Sequence, residues 1–169
     1  MNLKTKKMVI AAMFAALACV ATMVIKIPSP ISGQGYINLG DCIVLLAGWM
    51  LSPLYGFLAA AIGSAIADLF LGYAVYAPIT FVIKGVMALI AWYGVKFMRG
   101  KLGNLPSRLM SGLLAEAAMV LGYFLFEGFL YGFATSAVNI PFNGVQGAAG
   151  LILGVILIKV FEKNKIAQL

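Results

Sequence analysis

The sequence predicts an all-α membrane protein of six transmembrane helices, with N- and C-termini cytoplasmic, folded as one domain over residues 1–169. Three observations predict it. The chain is 63% hydrophobic and 10% charged, with a mean hydropathy of +1.04, whereas a soluble domain is about 45–50% apolar and about 25% charged. Apolar runs of roughly the 20 residues needed to cross hydrocarbon recur along it. Basic residues bracket those runs with a one-sided bias.

The runs fall at 7–25, 37–52, 55–73, 78–98, 108–131 and 137–160, and the second is short. The first follows a basic start, as a signal peptide does. At Met8–Ile25, however, it exceeds the roughly 7–15 residues of a signal core, and KIPSPISGQGY is no convincing cleavage site, so it reads as a retained helix. Breaks fall at Ser52-Pro53, GYAVYAP, RGKLGNLPSR and YGFATSAVNIP. With the N-terminus inside, ten of the twelve basic residues are cytoplasmic: Lys4, Lys6, Lys7, Lys96, Arg99, Lys101, Arg108, Lys159, Lys163 and Lys165. Lys26 lies outside and Lys84 within a span. This bias sets the orientation, and the basic termini support an even number of crossings.

Composition excludes several functions. The net charge of +7 forms no basic stripe with interleaved aromatics, so nucleic acid is not a partner. Without histidine there is no histidine metal site or acid–base pair, and no metal or other cofactor is expected. Cys19 and Cys42 read as small core residues. GVKFMRGKLG is not a phosphate loop: five residues separate Gly94 from Gly100, and Leu102 follows the lysine. The chain is therefore not expected to be an enzyme.

Charges inside spans are expensive and mark function. They are Asp41, Asp68, Lys84, Glu116 and Glu127. At 1.5 Å per residue, Asp68 sits roughly 7 Å and Lys84 about 9 Å below the outer surface. Asn38 and Asp41 lie in the first outer turns of the second helix, and Glu127 near the outer end of the fifth. Asn139, Asn143 and Gln146 share one face of the sixth, as do Ser64 and Asp68 in the third, and Glu116, Tyr123 and Glu127 in the fifth. Polar faces from several helices thus converge at one depth, which predicts an outward-facing pocket. Glu116 is deeper and reads as structural. The short turn that joins the third and fourth helices predicts that Asp68 and Lys84 pair, directly or through one water, and border the ligand. The competing reading is that the polar groups only glue helices together. Tyr73, Tyr76, Tyr123 and Phe126 add aromatic faces. The first helix also carries a small-residue stripe, Ala11, Ala12, Ala15, Ala16 and Ala18. It serves either internal packing or docking of another membrane protein.

The segments GYINLGD (35–41), GSAIADLFLGY (63–73), YAPITFVIKG (76–85) and PFNGVQGAAG (141–150) resemble the substrate-binding S components of energy-coupling factor (ECF) vitamin transporters, most nearly the hydroxymethylpyrimidine and pyridoxine types. That resemblance implies a transmembrane coupling subunit and two cytoplasmic ATPases as partners, docking through Ala11, Ala15 and neighbours, and a lid formed by the first outer loop at 26–36. It places the protein in the prokaryotic plasma membrane. The expected substrate-binding residues are Tyr36, Asn38, Asp41, Asp68, Tyr73, Tyr76, Lys84, Tyr123, Glu127, Asn139, Asn143 and Gln146. An acidic, aromatic pocket without arginine disfavours folate, biotin and pantothenate. It suits hydroxymethylpyrimidine or a B6 vitamer, with riboflavin or thiamine second. Carboxylates in spans also fit a small ion-coupled secondary transporter.

Overall fold

The computed structural model describes residues 2–28 and 35–164. The elements are α1 (Leu3–Val24), β1 (Lys26–Pro28), β2 (Tyr36–Asn38), α2 (Gly40–Met50), α3 (Pro53–Phe70), α4 (Ala77–Leu102), α5 (Asn104–Tyr131), α6 (Phe133–Ala137) and α7 (Ile140–Lys163). Among the described residues five segments are long and apolar enough to cross a bilayer: α1, α3, α4, α5 and Phe133–Lys163. Large apolar side chains stand exposed along them, including Phe129, Phe97, Phe70 and Leu54, the surface of a helical bundle whose solvent is lipid.

Local chemistry sets the ends. The Asn2 side chain caps α1 by accepting from the Lys4 amide at 3.2 Å. Proline opens α3, α4 and α7 in their first turns, where its missing N–H is harmless. Gly103, at φ +80°, is the single residue between α4 and α5; a side chain there would be strained. The expected break at RGKLGNLPSR thus shrinks to one glycine, because the polar residues before it continue the helix.

Two runs fold differently from expectation. The second, 37–52, divides into a strand and an 11-residue helix. At about 16 Å, α2 is too short to cross hydrocarbon alone. It is nevertheless central, with Val44, Leu45 and Leu46 at 0% exposure, so its neighbours rather than lipid satisfy its surface. β1 and β2 form a two-stranded antiparallel ribbon, with Ile27 opposite Ile37. The expected lid residues 29–34 lie outside the described residues. The last run breaks between α6 and α7 because Pro141 cannot donate to the carbonyl of Ala137.

Small residues let the helices approach closely. A Cβ on Gly48 (α2) would lie 2.6 Å from the Ala88 carbonyl oxygen of α4, and one on Gly63 (α3) 2.2 Å from the Ala15 carbonyl oxygen of α1. Two apolar clusters fill the remaining interior. One centres on Val44, Leu45, Met87 and Met119, the other on Phe14, Leu46 and Ile158.

The Gly48 contact is with backbone, which cannot swing aside. Gly48→Val should therefore lower stability by roughly 1–3 kcal/mol or more through overpacking. Gly100→Ala, on an α4 face with nothing within 4 Å, should raise it by up to about 1 kcal/mol. Thermal unfolding of both variants in detergent, followed by circular dichroism, checks the pair.

Candidate functional site

At the ribbon end of the bundle a small cavity opens between the helices. Ten of the sequence-predicted residues line it: Tyr36, Asn38, Asp68, Tyr76, Lys84, Tyr123, Glu127, Asn139, Asn143 and Gln146. They come from β2, α3, α4, α5 and α7, together with Tyr76 and Asn139 at the caps of α4 and α7. The convergence of depths read from the sequence therefore corresponds to a shared wall.

The floor is a chain of polar contacts. Lys84 Nζ makes an ion pair with Asp41 Oδ1, and Gln146 Nε2 donates to Asp41 Oδ2 at 2.7 Å. Gln146 Oε1 accepts from the Asn38 amide at 2.9 Å and from Asn38 Nδ2 at 3.3 Å. Asn38 Oδ1 in turn accepts from the Gly40 amide at 2.8 Å, satisfying the start of α2. Asp41 sits in the first turn of α2, where the helix dipole favours an anion.

The expected Asp68–Lys84 pair is not what forms. Their depths match, but Lys84 turns toward α2 and Asp41. Asp68 Oδ1 instead accepts from the Tyr36 hydroxyl at 2.5 Å. Helical position gave the level of each group; which neighbour it meets depends on the rotation of its helix, which only packing fixes. Burial, with the Asp68 charge beside it, pushes the Tyr36 phenol up, so it remains a donor. Asp41 is fully buried and lies behind the wall rather than on it. Tyr73 is also off the wall; its ring packs 4.8 Å from that of Tyr36 and 6.2 Å from that of Tyr76. Lys26 sits 4.8 Å from the Tyr73 ring centre, a cation over an aromatic face at the mouth.

On the α5 side, Glu127 accepts from Tyr76 at 3.3 Å and from Asn139 Nδ2 at 2.9 Å. The Thr80 and Tyr123 hydroxyls are 3.0 Å apart, and Lys84 Nζ stands 5.5 Å from the Tyr123 ring centre. Phe126 supports Tyr76 at 5.4 Å. Glu116 is off the cavity: its carboxyl faces Gly147 and Gly150 of α7, whose added Cβ atoms would come within 3.0 and 3.2 Å of its oxygens.

Sequence reasoning left Thr22 and Thr80 out and stopped short of placing Ser64 in the site; all three line the cavity. A signal existed for Thr22. It continues Ala11, Ala15 and Ala18 at the next helical step, so the stripe ends in a hydroxyl. The stripe itself divides: Ala11 and Ala18 are buried, Ala12 and Ala16 exposed, and Ala15 half-buried against Gly63. With Cys19 and the α3 residues Leu58, Ala59, Ile62 and Ile66 it borders an apolar groove on the outside of the bundle.

Fold and cavity define a multi-pass helical membrane protein with a polar site at one end. Residues 2–163 match the family described as ECF-type riboflavin transporter, S component, and the chain belongs to that family of substrate-binding transporter subunits. It is 37% identical over 135 residues to an uncharacterised protein of Pyrococcus woesei, covering 80% of this chain and 87% of that one. It is 24% identical over 165 residues to the thiamine precursor transporter HmpT of Lactococcus lactis subsp. cremoris, covering 98% of this chain and 93% of that one. A solved structure described as the S component of a bacterial ECF transporter shares the fold, with a TM-score of 0.77 at 21% identity, covering 95% and 97% of the two chains.

The ion pair makes a sharp forecast. Lys84→Met leaves Asp41 buried without its counter-charge and should cost about 3–5 kcal/mol. Adding Asp41→Asn should restore most of that loss, whereas adding Asp68→Asn to Lys84→Met should restore little. Melting temperatures of the two double-mutant cycles test it; recovery by Asp68→Asn equal to that by Asp41→Asn would contradict the pairing.

Proposed function

We propose that the protein captures a compact nitrogen heterocycle, hydroxymethylpyrimidine or a B6 vitamer, at the outer face of a prokaryotic plasma membrane. It hands this substrate to an ECF transmembrane coupling subunit driven by two cytoplasmic ATPases. The observation that carries the substrate class is the charge balance of the cavity wall. Its acids are Asp68 and Glu127, no arginine lines it among the described residues, and its one cation, Lys84, is already engaged by Asp41. An anionic vitamin would meet carboxylates with no free positive partner. A neutral or cationic ring rich in N–H and O–H donors suits the carboxylates, and the tyrosines supply faces for it. The thiamine precursor named for the Lactococcus relative supports the same reading. Riboflavin is the second reading, supported by the family's description.

In this reading both termini are cytoplasmic and α2 counts as a sixth, incomplete crossing. The basic residues at the end opposite the ribbon support that orientation. The apolar groove between α1 and α3 is the docking face for the coupling subunit. An ion-coupled carrier would instead take up substrate without any ATPase, so uptake that survives loss of the ATPases would replace this reading.

Calorimetry on the purified chain without ATP should give a Kd below about 1 µM for hydroxymethylpyrimidine or pyridoxine, and tightest binding of folate would overturn the substrate class. Ala16→Trp, on the exposed side of the stripe, should abolish uptake while leaving substrate affinity within about threefold, less than 1 kcal/mol. Ala15 is the poorer probe, because its backbone abuts Gly63. An equal loss of affinity in purified Ala16→Trp would show that the groove is not a separate docking face.

A further inference from the structure

Most polar groups around the cavity satisfy one another. Among the fully buried polar atoms of its lining three do not: Thr22 Oγ1, Ser64 Oγ and Asp68 Oδ2 have no hydrogen-bond partner among the described residues. Thr22 is 3% exposed, Ser64 1% and Asp68 3%. The three are not scattered. Ser64 and Asp68 stand one turn apart on α3, and Thr22 is on α1, which packs tightly against α3 at Gly63. The walls from α4, α5 and α7 hold the saturated contacts Tyr76–Glu127, Asn139–Glu127 and Thr80–Tyr123. A buried hydroxyl or carboxylate oxygen left unpaired costs the full desolvation of that group. Lipid on the outside of α1 and α3 cannot relieve it, and the cavity is where a partner can enter.

From this, we propose that the α1–α3 wall is the polar recognition surface of the substrate site: Asp68 Oδ2 accepts a ligand N–H, while the Ser64 and Thr22 hydroxyls bond to the acceptors beside it. The ligand chemistry is a planar heterocycle edge in which an N–H donor is flanked by an acceptor, as in the N=C–NH₂ edge of an aminopyrimidine. The inference rests on the substrate-binding reading above and adds which wall selects the ring. The pairing of the carboxylate favours it, since Tyr36 holds Oδ1 at 2.5 Å while Oδ2 has no hydrogen-bond partner among the described residues. The aromatic rings of Tyr76 and Tyr123 lie on other walls, so the ring's face and its polar edge are read by different helices.

The test uses the full chain in detergent and the variants Asp68→Asn, Ser64→Ala and Thr22→Val. Each is titrated with hydroxymethylpyrimidine, its analogue lacking the amino group, pyridoxine and riboflavin, and each is melted without ligand. Asp68→Asn should weaken hydroxymethylpyrimidine binding by at least about tenfold, the loss of a bond to a charged acceptor. It should also bring the amino and des-amino compounds to similar affinity. Ser64→Ala and Thr22→Val should each weaken binding by about three- to tenfold. The ligand-free melting temperatures of Ser64→Ala and Thr22→Val should stay level or rise, because each change removes an orphaned polar group. That of Asp68→Asn should stay level, because the amide oxygen still accepts from Tyr36 while a buried charge is removed. A structural role would move them the other way: affinity lost in step with a lowered melting temperature overturns the proposal. Wild-type binding that all three variants retain overturns the wall alone and leaves the substrate-binding reading standing. No binding of any of the four compounds by wild type overturns both. Riboflavin bound tightly by wild type and weakly by the variants upholds the wall while replacing the compact ring as substrate.

Discussion

The buried Lys84–Asp41 ion pair is the constraint on which the rest of the structure depends. Neither side chain reaches solvent, and a lone ammonium or carboxylate at this depth would be far less favourable than the pair. Satisfying it fixes α4 against α2. The second oxygen of Asp41 then takes Gln146, which fixes α7, and Gln146 takes Asn38, which fixes the ribbon. One charge pair thus sets four elements around a single point, and the cavity is the space left above that point.

Close approach makes the arrangement possible. Helices bearing glycine and alanine at their contacts, such as Gly48 against Ala88 and Gly63 against Ala15, bring their backbones near enough for short polar side chains to meet. In lipid there is little hydrophobic force between helices, so dispersion at these contacts and the polar links hold the bundle. The same small residues divide their work. On α1 the inner members of the stripe pack into the bundle, while the outer ones leave a groove with no side chains to fill it. One sequence feature thus supplies both buried packing and the border of an exposed groove.

The polar site is correspondingly asymmetric. Walls supplied by α4, α5 and α7 hold the side-chain hydrogen bonds Tyr76–Glu127, Asn139–Glu127 and Thr80–Tyr123, whereas α1 and α3 present buried hydroxyls and a carboxylate oxygen with no partner among the described residues. Saturated groups shape a cavity and unsaturated ones discriminate among its occupants, because hydrogen-bonding sites reject analogues that leave them unpaired. The membrane protein family to which the chain belongs is defined by such capture of a small molecule. The cavity sets two acids, Asp68 and Glu127, against one cation that Asp41 already engages.

By itself the sequence determined the membrane class, most helix positions and the level of each polar group along its own helix. Composition, run length and rise per residue are one-dimensional quantities that survive any packing. That is why ten of the twelve expected site residues reach the cavity. Rotation and neighbours were decided only by the tertiary structure. Asp68 and Lys84 share a level yet do not pair, since Lys84 faces α2 and Asp68 faces Tyr36 of the ribbon. Thr22 sits in an apolar run, and nothing local distinguishes a hydroxyl that lines a cavity from one that packs in a core. The short α2 gave a weak span signal because its surroundings are protein rather than lipid. In each case the deciding quantity is the angle at which one helix meets another, set by the fit of side chains distant in sequence.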